Sequence, residues 1–225
     1  MNETTVVTRS GTLDLLDPNP ADVRIEDIAF NLARINRWNG CAAPSLSVAR
    51  HSLLVQGGVR LQIVFNRACA AKYDAARQRR LGIALPPLRA PDPHLRLCAL
   101  LHDAAEAYIG DICRPVKAIL GGVMGLERRL LIAIGAGLGV PRLALTVETT
   151  LIKEVDNRWA ATEARNLLGK TPDEVGLPGV LPWPDGAELL RPTSEAMDEE
   201  MFLAKYRELR ELMQAEQPAM AASDG

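Results

Sequence analysis

The chain has the length and composition of one globular domain. Its 225 residues suffice to bury a sizeable core. The formal net charge of −2 provides no broad basic surface, which argues against duplex nucleic acid as a partner. No apolar run reaches the roughly 18 residues of a membrane span. The first residues also lack the basic and then apolar pattern of a secretory signal. We therefore expect a cytoplasmic protein without a membrane partner.

The N-terminal part of the chain predicts one helix after a polar extension. Residues 1–24 hold only a weak signal for a short extended piece or β-ribbon, at 12–15. From residue 22 or 24 onward, apolar residues recur with helical spacing and form one stripe. The glycine of Arg37–Gly40 is a suitable stop, so the predicted helix ends there.

A second helix is predicted over 48–65. Ser47 is a suitable N-cap for it, and His51 then lies in its first turn. Two consecutive glycines inside this span weaken the prediction of one unbroken helix. The following residues, 67–93, combine clustered arginines with four prolines, which predicts a frayed helix end and a mobile loop.

The segment Leu100–Lys117 concentrates charge in otherwise apolar surroundings. On the predicted helix, His102 and Asp103 project about 100° apart, and Glu106 shares their face one turn later. Upstream, Asp92 followed by proline suits a helix start. A buried carboxylate needs a partner. A cation would satisfy this trio, but a structural ion pair with arginine or lysine would serve as well.

The rest of the chain is also predicted to be mainly helical. One helix, over 147–168, runs without glycine or proline and carries Asp156. No repeat is apparent, so the predicted fold class is all-α, a compact bundle of five or more main helices. The other predicted elements are a short helix over 116–120, a helix from about 125 to 135, a loop rich in Gly and Pro over 169–192, and an amphipathic helix over 198–214.

Four residues from three predicted helices form a plausible metal ligand set. They are His51, His102, Asp103 and Asp156. Imidazole nitrogens combined with carboxylate oxygens suit Mn, Fe, Co, Ni or Zn. Each residue alone has an ordinary explanation, because a lone histidine near a helix start is usually a cap or core residue and a lone aspartate is usually solvated. Together they leave coordination positions for water or substrate.

In this order, the four residues resemble the H…HD…D signature of the HD-domain metal-dependent phosphohydrolases. The neighbouring sequence is similar too. His51 lies in RHS, the His-Asp pair lies in LLHDAAEAYIGDICRPVK, and Asp156 lies in KEVDNRWAATEA. The chain is most similar to the branch with bacterial and phage 5′-deoxynucleotidases and small deoxynucleoside triphosphate hydrolases. The likeness implies an HD-domain core over 25–168, with the metal between three helices. We expect an N-terminal extension over 1–24, a C-terminal loop and packing helix over 169–217, and a disordered tail over 218–225.

The resemblance also implies roles for five further residues. Glu106 would transfer a proton, although it could instead orient a ligand histidine. Asp111 would lie near the sugar. Arg37 and Lys117 are candidate phosphate contacts, by charge and by likeness, but either could equally be a surface cation. Trp38 would pack against the sugar and exclude a 2′-hydroxyl, although a tryptophan at a helix end is ordinarily a core residue.

The expected function is the hydrolysis of phosphate or triphosphate from free 2′-deoxynucleotides, with a metal-activated water as nucleophile. The expected cofactor is one divalent transition metal (Co, Mn, Zn, Fe or Ni), with an additional Mg²⁺ if the substrate is a polyphosphate. The partner is a small-molecule nucleotide, and a homo-oligomer is left open. Two alternatives remain. One is an HD hydrolase of another phosphorylated small molecule or signalling nucleotide, and the other is a non-catalytic nucleotide-binding HD protein.

Overall fold

The computed structural model describes residues 3–81, 92–184 and 186–221. It is 63% helix and 4% strand, so the predicted all-α class is confirmed. No helix within these described ranges is long and apolar enough to cross a membrane. The helices are α1 Ile25–Leu32, α2 Val48–Leu81, α3 Pro93–Leu100, α4 Glu106–Ile109, α5 Arg114–Ile119, α6 Val123–Gly137, α7 Leu143–Thr146, α8 Thr150–Glu163 and α9 Glu195–Ala221. Short 3-10 turns lie at Pro20–Asp22, Trp38–Gly40, Asp173–Val175 and Gly186–Leu190, and a π-helical turn, Ala164–Leu168, follows α8.

The N-terminal extension forms a small antiparallel ribbon. Strand β1, Thr5–Val7, pairs with β2, Thr12–Asp14, so the extended piece predicted at 12–15 is a strand. Leu13 of β2 is buried and joins the main hydrophobic core. The ribbon therefore packs as part of the bundle.

Helix α2 is longer than predicted and passes the two glycines without a break. Ser47 caps it as expected, since its hydroxyl accepts a hydrogen bond from the Arg50 amide at 3.0 Å. The predicted end at residue 65 is wrong, because the helix continues to Leu81. The sequence from 66 to 81 is rich in Ala and Arg, which favour helix without an apolar stripe. The part of the predicted loop at 82–91 lies outside the described residues.

Gly58 explains why α2 and α8 approach closely. A Cβ at this position would lie 2.6 Å from Cγ1 of Val155 and 2.7 Å from Nε1 of Trp159. Both of these side chains are buried on α8. The contact brings the first turns of α2 beside the middle of α8, which positions His51 near Asp156.

The helix predicted through the His-Asp pair is interrupted there. Asp92 caps α3 as expected, accepting from the His94 amide at 2.9 Å, but α3 ends at Leu100. Residues 101–105 form turns with i to i+3 hydrogen bonds, and α4 begins at Glu106. His102 Nδ1 lies 2.9 Å from the Ala99 carbonyl oxygen, the acceptor that a continuing helix would offer to the Asp103 amide. The hydrogen bond from the His102 side chain thus replaces the backbone hydrogen bond that would continue the helix.

Several other helix boundaries differ from the prediction. Helix α1 ends at Leu32, before the predicted stop at Arg37–Gly40, because Ile35 and Arg37 form backbone hydrogen bonds with Val48 and Leu46 instead. Helix α8 begins at Thr150 rather than 147, after the separate short helix α7. Helix α9 spans Glu195–Ala221 rather than 198–214, and its range includes the first four residues of the predicted tail. Residues 222–225 lie outside the described residues. The division of the chain into an HD-type core and a C-terminal part stays a prediction.

Candidate metal centre and its cavities

Four predicted ligands converge at one point of the bundle. His51 comes from the first turn of α2, His102 and Asp103 from the turn after α3, and Asp156 from the middle of α8. Potential ligand atoms of the two histidines and Asp103 all lie within 4.8 Å of one another. Nε2 of His51 is 3.0 Å from Asp156 Oδ1, and Nε2 of His102 is 3.1 Å from Asp103 Oδ2. The group could therefore hold a metal ion.

Each histidine is oriented by a hydrogen bond on the far side of its ring. Nδ1 of His51 donates to Glu163 Oε1 at 2.6 Å, and Nδ1 of His102 donates to the Ala99 carbonyl at 2.9 Å. Both partners can only accept, so the hydrogen must lie on Nδ1. Nε2 of each ring then faces the cluster. Nε2 of His102 is buried and, among the described residues, makes no well-aligned hydrogen bond, although Asp103 Oδ2 lies 3.1 Å away. Because Nδ1 carries the hydrogen, the lone pair of Nε2 is directed at this carboxylate oxygen, an arrangement that a cation between them would stabilise.

The electrostatics of the cluster also favour added positive charge. Burial would raise the pKa of Asp156, but the neighbouring histidines lower it to about 2. Burial would likewise raise the pKa of Asp103, yet His102, His51 and Arg37 hold it well below its usual range. Burial and Arg37 would lower the pKa of His51, but Glu163 and Asp156 raise it to about 9. The carboxylates thus stay ionised and draw a proton onto the imidazole, a charge that a divalent cation would replace.

Glu163 is a site residue that the sequence analysis missed. Its side chain is fully buried, with 0% exposure. Besides His51, it accepts hydrogen bonds from Arg37 Nε and Trp38 Nε1, both at 3.0 Å to Oε2. Burial would raise its pKa, but Arg37 and His51 lower it. A signal was present, because Glu163 follows Asp156 by seven residues, about two helical turns, and so shares its face.

Glu106 lies beside the cluster as predicted and is not among its ligand atoms. Only 4% of its surface is exposed, and Oε2 has no hydrogen-bond partner among the described residues. Nζ of Lys117 is 3.5 Å from Oε1. Burial raises the pKa of Glu106 well above its usual value, and the charges of Asp103 and Asp111 add to this effect. The geometry is that of a buried carboxyl group that can donate a proton.

The two candidate phosphate contacts are not surface cations. The side chain of Arg37 is 12% exposed and lies between Glu163 and Asp103, with Nη1 3.6 Å from Asp103 Oδ2. The side chain of Lys117 is 24% exposed, and its Nζ is 2.7 Å from Glu127 Oε1. Burial would lower the pKa of Lys117, but Glu127 and Glu106 raise it to about 12. Both cations therefore stay charged at the centre.

A cavity of about 270 Å³ contains several of the predicted substrate contacts. We call it the Trp38 cavity. The backbone of Trp38 has φ of 59°, unusual for a bulky residue, and the hydrogen bond to Glu163 holds the indole in place. Burial raises the pKa of Asp111, which also lines this cavity. The lining includes Arg37, Trp38, Asp111, Arg114, Lys117 and Leu177.

A second cavity, of about 450 Å³, adjoins the same centre. We call it the Met124 cavity. Its walls come mainly from α6, α7 and the start of α8, and its apolar lining includes Met124, Leu131, Val147 and Ile152. No motif in the sequence marks these residues, so the cavity could not be predicted from them. Four residues line both cavities: Asp103, Glu106, Lys117 and Asp156.

Comparisons with known proteins identify relatives of this chain. No protein-family model matches it. It is 29% identical over 149 residues to the uncharacterised protein YfdR of Escherichia coli, a match that covers 66% of this chain and 64% of YfdR. It is 39% identical over 160 residues to an uncharacterised protein of Rhodobacter capsulatus, covering 70% of this chain and 69% of that protein. The chain therefore belongs to the same family as this Rhodobacter capsulatus protein.

Proposed function

We propose that this chain is a metal-dependent phosphohydrolase of the HD-domain type that acts on free 2′-deoxynucleotides. The observation that carries the proposal is the convergence of two imidazole nitrogens and two carboxylates on one point. The order of these residues in the chain is the H…HD…D order that suggested the HD type. The buried Nε2 of His102 adds to this, because within the described part of the chain it makes no well-aligned hydrogen bond and lies 3.1 Å from Asp103 Oδ2, two lone pairs that a cation would bring into a favourable contact.

The four candidate ligands favour a class of metal ion but do not identify one ion. Neutral imidazole and carboxylate together suit a divalent transition metal better than calcium, which prefers oxygen ligands alone. His51, His102, Asp103 and Asp156 would hold the ion. When bound, such an ion supplies Lewis-acid activation of a phosphoryl oxygen and of the attacking water.

The residues around the ligands would do the remaining chemistry. Glu106, buried and with one oxygen unpartnered, would give a proton to the leaving oxygen. Arg37 and Lys117 would offset the negative charge of the phosphoryl group as it reacts. Trp38 and Asp111 line the same cavity and would contact the deoxyribose. Each of these proposed roles would thus fall to a side chain that lies near the candidate metal centre.

A panel assay tests the proposal. The protein is treated with a chelator and then supplied separately with Mn²⁺, Co²⁺, Mg²⁺ or Zn²⁺. Phosphate and triphosphate release is followed for matched deoxy- and ribonucleotides with one or three phosphates. We expect no release without metal and restored release from deoxynucleotides with a transition metal.

Variant controls make the result specific. Asp103→Ala should lose both bound metal and turnover, because it removes one of four ligands. Asp22→Ala, on an exposed turn remote from both cavities, should keep both. Full hydrolysis by the metal-free protein, or by Asp103→Ala, would refute the proposal.

A further inference from the structure

The two cavities meet at the candidate metal centre instead of lying apart. Two candidate ligands, Asp103 and Asp156, line both of them, as do Glu106 and Lys117. A phosphoryl group at the candidate metal centre would therefore face both cavities at once. A nucleoside monophosphate carries an organic group on only one side of phosphorus and would leave one cavity unused.

The Met124 cavity is unsuited to a polyphosphate chain. Apart from the four shared residues, its charged lining consists of two carboxylates and two cations, which balance. Lys153 is already paired with Glu148, and Lys117 with Glu127. Arg128 is the remaining lining cation and has no carboxylate partner in the described part of the chain. One cation cannot offset several phosphate charges.

The apolar part of this lining instead suits an uncharged ring. Met124 and Leu131 lie on α6, Val147 directly follows α7, and Ile152 lies on α8. All four line the same space. Apolar side chains thus form one wall of a cavity whose remaining lining is mostly charged. An apolar wall beside a few polar groups that fix orientation is typical of sites for organic ligands. Glu106 lines both cavities, and its Oε2 is buried without a hydrogen-bond partner among the residues that the structure describes. Its carboxyl group could therefore give a proton to an oxygen that leaves into the Met124 cavity.

We propose that the preferred substrate is a phosphodiester, with its deoxynucleoside in the Trp38 cavity and a second, uncharged ring in the Met124 cavity. This inference rests on the proposed function, and it extends the substrate from a free deoxynucleotide to a diester of that deoxynucleotide. The phosphoryl group would lie at the metal centre, with the deoxynucleoside on one side and the second ring on the other.

The reaction needs only water as a second reactant. The water oxygen forms a bond to phosphorus, and the bond from phosphorus to the oxygen that links the second ring breaks. The electron pair of that bond goes to the leaving oxygen, which takes up a proton. The products are a deoxynucleoside monophosphate and an alcohol or phenol. No group is oxidised or reduced.

A matched pair of probes tests the inference. One is thymidine 5′-monophosphate, followed by phosphate release. The other is its benzyl ester, a diester whose second group is an uncharged ring and whose leaving group is also an alkoxide, followed by release of benzyl alcohol. We expect the metal-loaded protein to hydrolyse the diester with the higher kcat/KM.

One glycine allows the Met124 cavity to be filled with little strain. Gly125 lines the cavity on α6, and a Cβ there meets no atom within 4 Å. Gly125→Trp should lower kcat/KM for the diester at least about tenfold more than for the monoester, as expected when an apolar pocket loses room for its ligand. Gly57→Trp is the control, because Gly57 is also an exposed, open helical glycine but lines neither cavity. Thermal unfolding of each variant shows that it is folded. Calorimetric titration of the metal-free proteins with the diester gives a second readout, and binding should be weaker in Gly125→Trp than in Gly57→Trp.

The outcomes separate the two proposals. Hydrolysis of the monoester but not of the diester would overturn the inference and leave the proposed function standing. Equal losses for both probes in Gly125→Trp would also overturn it, since the cavity would then hold part of a mononucleotide. No metal-dependent hydrolysis of either probe would overturn both proposals.

Discussion

Glu163 offers a sharp test of how the centre is built. The Glu163→Gln substitution keeps the shape of the side chain but removes its charge and turns one acceptor into a donor. In the wild-type protein, this carboxylate accepts three hydrogen bonds, from His51 at 2.6 Å and from Arg37 and Trp38 at 3.0 Å. The amide can accept from only part of this set, and its NH₂ group must face a donor.

The expected loss follows from the burial of this network. Hydrogen bonds to a charged group contribute about 1.5–3 kcal/mol each, and removing one partner of a buried ion pair costs about 3–5 kcal/mol. Because the three donors share one carboxylate, their contributions do not add, and we expect the free energy of unfolding to fall by about 3–5 kcal/mol. Metal affinity should fall about 10- to 100-fold, the usual effect of removing a group that orients a ligand histidine.

The assay is a competition titration of metal against a chromophoric chelator, with thermal unfolding in parallel. Glu174→Gln is the matched control. Glu174 also accepts from three donors, on Thr171 and Lys170, but it lies on the surface away from the centre. Glu174→Gln should leave metal affinity unchanged. Wild-type affinity in a folded Glu163→Gln protein would refute the idea that Glu163 orients His51.

Four further predictions concern other parts of the molecule. Glu106→Gln should retain metal but lose about 10²–10⁴ in turnover, the usual share of general acid–base catalysis, as shown by metal analysis beside kinetics. Trp38→Ala should reduce the preference for a deoxynucleotide over its ribonucleotide about tenfold or more, measured as the ratio of kcat/KM values. Without metal, the protein should lose stability as the pH rises from about 6.5 to about 9, because protonated His51 is favoured in the folded state; melting at a series of pH values checks this. Gly58→Ala should lower the free energy of unfolding by about 1–3 kcal/mol, since the added Cβ would lie 2.6 Å from a side-chain atom of α8, as denaturant unfolding would show.

The sequence by itself determined the helical class and the residues of the candidate centre. Apolar residues with helical spacing, the Ser47 cap and the Asp92 cap are local signals, and each marks a real helix start or face. The order His51, His102-Asp103, Asp156 was enough to group four side chains that the structure brings together. The helix starts and faces could be predicted because they depend on neighbours within one or two helical turns. The grouping of the four candidate ligands rested instead on their order in the chain and its resemblance to a known signature, and their role stays a prediction.

The tertiary structure decided what surrounds those ligands. The helix breaks between Leu100 and Glu106, where His102 bonds to the Ala99 carbonyl, and periodicity does not record such a competition between side chain and backbone. Glu163 accepts hydrogen bonds from Arg37 and Trp38, which lie more than a hundred residues earlier in the chain, so local sequence could not show these contacts.

The cavities depend on tertiary packing to an even greater degree. Their walls combine residues from segments far apart in the chain, so their volume and the four residues that they share are set by how helices pack. Local sequence patterns specify which residues a helix presents. Only the packing of one helix against another determines which of those residues meet and how much space remains between them.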